Sequence, residues 1–171
     1  MRVAALTCLA ALHLAPLAAQ DFQPPPADGG SGGTRIGLYG FGVRAGVDFT
    51  NNGRLGLGAT LDLGQLATAR LRVRGVGELS VFNAPNVYVG ALEATYHFTH
   101  DAAPARPYAG LGVGLAGGEA CSSDPDCPAL WFNVVLGFEL RFRPTFNWLL
   151  EYHGMNLLRD NRIFVGLTTR R

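Results

Sequence analysis

The chain contains no lysine; all 14 of its basic residues are arginine. It thus lacks the flexible ammonium side chains that solubilise ordinary surfaces. It also has little net charge. The formal value is +1, which provides no field to draw nucleic acid or a strongly acidic partner. Beyond the first 20 residues no apolar run reaches the length of a membrane helix, which takes about 20 residues. Glycine is abundant, at 23 residues, but shows no collagen-like period. A length of 171 residues suits one domain and is too short for two comfortable ones.

The N-terminus has a recognisable processing pattern. Arg2 supplies a positive start, Val3 to Leu14 a short apolar core, and Leu17-Ala18-Ala19-Gln20 small residues for cleavage near Asp21. Residues 1–20 are therefore expected to be a signal peptide, since Pro16 cuts the run too short for an anchor. Residues 21–33, rich in proline and glycine, are expected to be a disordered leader. Cleavage would leave two cysteines, Cys121 and Cys127, in "CSSDPDC". A close, even pair in an exported chain points to a disulfide.

From residue 34 onward, short segments alternate apolar and small or polar residues with period two, separated by turn residues. Eight are expected: Thr34–Phe49, Arg54–Leu63, Arg70–Phe82, Val87–Phe98, Tyr108–Ala116, Ala129–Phe142, Phe146–Asn156 and Arg162–Thr169. In "YGFGVRAGVDF" the apolar set is Tyr39, Phe41, Val43, Ala45, Val47 and Phe49; Gly40, Gly42, Arg44, Gly46 and Asp48 alternate with it. Eight such strands fit two barrels. A secreted lipocalin-like carrier of small molecules turns the apolar faces inward; a membrane barrel turns them toward lipid.

Three features favour lipid. The apolar faces carry no charge, and an arginine at the bilayer midplane costs about 2–4 kcal/mol. The opposite faces are rich in glycine, which weakens a water-exposed strand but leaves room for large side chains inside a narrow tube. The inward charges nearly balance: Arg44, Arg70, Arg72, Arg74 and Arg141 against Asp48, Asp62, Glu78, Glu93, Glu139 and Glu151. Inside a low-dielectric lumen such charges should pair. Asp62 falls across a turn from Arg70 and Arg72, and Glu93 within reach of Arg74. Val76, Val87, Val89, Trp131, Leu149, Met155 and Phe164 share the inner parity, so the interior is mixed.

The pattern, with "RPYAGLGVGLAGG", "WFNVVLGFELRF" and the closing "NRIFVGLTTRR", resembles the small eight-stranded outer-membrane barrels of the OmpA/OmpX type. The resemblance implies an all-β, antiparallel, up-and-down transmembrane β-barrel over residues 34–171. It implies the bacterial outer membrane as location, its lipid bilayer as surroundings and the barrel-assembly machinery as a partner. Such barrels usually end in an aromatic residue, whereas this chain ends Thr169-Arg170-Arg171. A monomer is expected, with no cofactor, no metal and no nucleic acid partner. With both termini in the periplasm, the cysteine loop would face outside. A structural or surface-contact role follows, without an open pore, because eight strands enclose only side chains.

One constellation could carry chemistry. In "EYHGMN", Glu151 and His153 share a face, and a carboxylate beside an imidazole can do acid–base work. Outer-membrane lipid A deacylases resemble this barrel and carry a serine two residues after such a histidine, then asparagine. His153 and Asn156 fit that pattern, but the serine position is Met155. A lipid A-modifying hydrolase is therefore an alternative to the structural reading, in which His153 and Glu151 belong to the interior network. Asp124 and Asp126 are too few for a calcium site. The "RLRVR" arginines are expected to pair inside rather than bind an anionic ligand.

Overall fold

The computed structural model describes residues 33–50, 53–81, 86–100, 102–118, 127–155 and 158–169. The expected signal peptide, nearly all of the leader, Cys121 and Asn156 lie outside these residues. The described residues form eight strands: β1 (Arg35–Asp48), β2 (Arg54–Gln65), β3 (Leu71–Val81), β4 (Val87–His97), β5 (Ala105–Gly118), β6 (Ala129–Arg141), β7 (Phe146–Met155) and β8 (Asp160–Thr169). Each pairs antiparallel with the next, and β8 closes on β1 from Gly42↔Thr168 to Asp48↔Arg162. The sheet is thus a closed up-and-down barrel with no open edge, the form a sheet needs where water cannot satisfy its backbone.

The period-two alternation decides which residues line each wall. Phe41, Val43 and Val47 of β1 stand exposed, while Gly42, Arg44 and Asp48 are buried. The same split runs round the barrel, with Leu57, Leu92, Leu111, Phe132, Leu150 and Val165 outside. Exposed apolar residues on every strand far exceed what a water-soluble surface tolerates and suit hydrocarbon. This orientation overturns the lipocalin-like reading, which needs the apolar stripes to line a cavity. Near the end that holds both termini, Tyr96, Phe98, Phe142, Phe146 and Trp148 form an outward aromatic group; Tyr96 and Phe98 meet edge to face at 5.6 Å and Phe142 and Trp148 at 5.3 Å. Aromatic girdles mark membrane–water interfaces.

Most of the strand ends shift by one to three residues from the sequence expectation, and two of these shifts have a local cause. β5 begins at Ala105 rather than Tyr108 and takes Pro107 into the strand. Pro107 pairs with Phe138, and its carbonyl accepts from the Phe98 amide at 3.0 Å, just beyond the end of β4. Its missing N–H interrupts no strand interior there. β2 runs on to Gln65 through a bulge between Asp62 and Gly64. Gly64 has φ +122°, and a Cβ there would strike the Arg35 carbonyl, so the bulge requires glycine.

Candidate functional site

The charged lumen is the candidate site, and inner-wall glycines make room for it. A Cβ at Gly58 would lie 3.0 Å from Arg44 Nε, one at Gly112 2.7 Å from Glu93 Cγ, and one at Gly56 3.0 Å from the Phe164 ring. At Gly137 a Cβ would run into the Tyr108 ring. The glycines of β2, β5 and β6 therefore face the bulky side chains of β1, β4, β5 and β8.

At mid-height, Glu151 of β7 accepts from the guanidiniums of Arg44 on β1 and Arg74 on β3, and from the Tyr108 hydroxyl on β5. Its side chain is fully buried. Arg44 reaches on to Glu78 at 2.5 Å, and Arg74 to Glu93 at 2.6 Å. Their guanidiniums also lie over aromatic rings: Arg44 over Phe164 at 4.7 Å and Arg74 over Tyr108 at 5.4 Å. His153 sits inside this cluster with no exposed surface, 3.2 Å from Glu151, 3.1 Å from Arg44 and 3.0 Å from the Asn133 amide. Asn133 donates in turn to Glu93 at 2.5 Å. Three carboxylates, two guanidiniums and an imidazole thus share one network across the tube.

The two ends of the lumen hold smaller clusters. Toward the rim without termini, Arg162 bonds Asp48 at 3.3 Å and Glu78 at 2.8 Å and lies 5.7 Å over Trp131. Toward the terminal rim, Arg106 bonds Glu139 at 3.2 Å, and Arg72 approaches Asp62 at 3.6 Å. There His97 stacks on Tyr108 at 4.9 Å. Asp62, Arg72, His97, Arg106 and Glu139 border a small cavity of about 40 Å³, room for a few waters.

Most of the residues expected inside are therefore buried or half-buried around the lumen: Arg44, Asp48, Asp62, Arg72, Arg74, Glu78, Glu93, Glu139 and Glu151. Arg70 and Arg141 are corrections. Arg70 lies in the turn before β3, its guanidinium 3.3 Å from the exposed His100 ring. Arg141 is exposed and donates to the Ala102 carbonyl at 3.0 Å. Both stand where the tube opens, Arg141 exposed and Arg70 half-buried beside His100, outside the ion pairs of the lumen. Arg106 and Arg162 were missed, although both are buried in ion pairs. Parity carried the signal: Arg162 alternates with outward Ile163, and Arg106 stands two residues before inward Tyr108.

Similar solved structures share this architecture. The N-terminal β-barrel domain of Pseudomonas aeruginosa OprF aligns with a TM-score of 0.57 at 15% identity, covering 76% of this chain and 94% of that one. Neisserial surface protein A aligns at 0.55 and 13% identity, over 83% of this chain and 99% of that one. This is the fold of the small eight-stranded outer-membrane barrels. A de novo designed barrel, TMB2.3, aligns at 0.52 and 19% identity, covering 84% and 97% of the two chains. A designed chain with the same fold is a reminder that the fold by itself carries no role. No protein-family model and no curated protein matches the sequence.

Proposed function

We propose that this chain is a monomeric integral barrel of the outer membrane, exported by its N-terminal signal, with a structural or surface-contact role and no open pore. The observation that carries the reading is the Glu151 node, where two guanidiniums and a phenol from three other strands converge in mid-lumen. Such a cluster fills the tube and ties opposite walls, which favours integrity over transport. The apolar outer wall supports the membrane setting. A disulfide between Cys121 and Cys127 is part of the proposal and would brace the external loop in an oxidising compartment.

The lipid A hydrolase alternative gains no support from the geometry. His153 has no exposed surface and Met155 is 1% exposed, so neither meets a lipid substrate on the outer wall. The test of the proposal has two readings. The outer-membrane fraction, run in detergent with and without boiling, should give a band that shifts on boiling. The purified protein in planar bilayers should give no sustained conductance steps. Protein confined to the soluble periplasm, or stable open channels, would refute the proposal; a lipid A mass profile that changes with the protein would revive the hydrolase.

A further inference from the structure

The ion pairs of the lumen leave cations outside at both rims: Arg54 and Arg159 at the far one, and a larger set at the one that holds the termini. At the rim that holds both termini, two of the three turns or their flanking strand ends carry free-standing arginine, Arg70 between β2 and β3 and Arg141 and Arg143 between β6 and β7, and the third, between β4 and β5, carries His100. Arg35 opens β1 at the same rim and is exposed. No carboxylate among the described residues bonds any of them. The two ends differ in sequence as well. The stretch after β5 holds Glu119, Asp124 and Asp126, whereas the terminal-rim turns contain a single acid, Asp101.

The arginines stand at a definite depth. Arg143 lies over the Phe142 ring at 5.3 Å, and Phe142 packs on Trp148 in the aromatic group of that rim. Arg141 is tied to the Ala102 carbonyl of the neighbouring turn. Aromatic rings of this kind settle at headgroup level, so the guanidiniums are held where lipid phosphates lie. A planar guanidinium bonds two phosphate oxygens at once.

We propose that the terminal rim is a basic collar that binds the phosphate of anionic phospholipids in the adjoining leaflet, through Arg70, Arg141 and Arg143. The collar favours phosphatidylglycerol over a zwitterionic lipid at the rim and fixes the vertical position of the barrel. It rests on the membrane reading above.

Trp148, 49% exposed at this rim, is a built-in probe. The full-length mature protein carrying W131F would be folded into phosphatidylcholine vesicles containing brominated phosphatidylglycerol or, in parallel, brominated phosphatidylcholine. Quenching of Trp148 then measures relative lipid occupancy. The expected result is a preference for phosphatidylglycerol of roughly fivefold, the effect of about one basic contact with an anionic surface. It should weaken at high salt and fall to near unity in R70Q/R141Q/R143Q. The heat-shifted band shows whether each variant is folded, and a single R143Q serves if the triple variant is not. Failure of the parent to insert would overturn the membrane reading and this inference with it. Insertion with equal occupancy of the two lipids, or a preference unchanged in the folded variants, would overturn the collar alone. Stronger occupancy by lipid A than by phosphatidylglycerol would also overturn it, by assigning the rim to the outer leaflet.

Discussion

Replacing Glu151 by glutamine removes one negative charge and little volume. In the native lumen Glu151 is shared by Arg44 and Arg74, each of which keeps a second carboxylate, Glu78 and Glu93 respectively. Breaking a buried pair from one side typically costs 3–5 kcal/mol. Because neither guanidinium is left wholly unpaired, the lower end applies, and E151Q should cost about 3 kcal/mol. R44M should cost a similar amount, since it strips a cation from both Glu78 and Glu151. The double variant R44M/E151Q should cost less than the two together by about 1–2 kcal/mol, because each change relieves what the other leaves unpaired. The assay is urea unfolding of the barrel in lipid vesicles, followed by tryptophan emission and by the fraction of heat-shifted band. A loss below about 1 kcal/mol for E151Q, or strict additivity in the double variant, would refute the ion network as a source of stability.

Other expectations follow from single contacts. G137V should cost about 2 kcal/mol by forcing the Tyr108 ring from its seat, and much less in a Y108A background, as paired unfolding curves would show. L92R, at the middle of β4 and facing outward, should cost about 2–4 kcal/mol, whereas F98R at the rim should cost about 0–1 kcal/mol. Equal losses would mean that the wall does not face a bilayer. Y108F removes one bond to Glu151 and should cost about 1–2 kcal/mol while leaving the fold intact by circular dichroism. H153A should lower the unfolding midpoint and leave the lipid A profile of expressing cells unchanged, which separates a structural histidine from a catalytic one.

Wall and lumen were legible from the sequence to different depths. Parity alone tells that Arg44 and Asp48 point one way and Val43 and Val47 the other, because a strand reverses its side chains at every residue. Parity says nothing about height in the tube. Arg70 and Arg72 share a face, yet Arg72 is buried near Asp62 and Arg70 meets His100 at the rim. Two residues are enough to cross from lumen to water. The start of β5 lies before the expected Tyr108, and Arg106 with it. Partnerships across the tube were the least visible. Glu151 and Arg44 are 107 positions apart and belong to strands that are not neighbours in the sheet. Only closure of the barrel brings them together.

The same geometry supports the proposed structural role of the "EYHGM" stretch over a catalytic one. A residue pair at i and i+2 on a strand always shares a face, so Glu151 and His153 meet whatever their purpose. Catalysis would need one of them to keep a free lone pair near substrate. Here both are committed: Glu151 to two guanidiniums and a phenol, His153 to Arg44, Asn133 and Glu151. Freeing Glu151 for chemistry would take one of two carboxylates from each of two buried guanidiniums, at a cost of about 3 kcal/mol, a large part of a typical domain's stability. On the structural reading proposed above, the bonds that hold the pair in the fold are the ones a reaction would have to break.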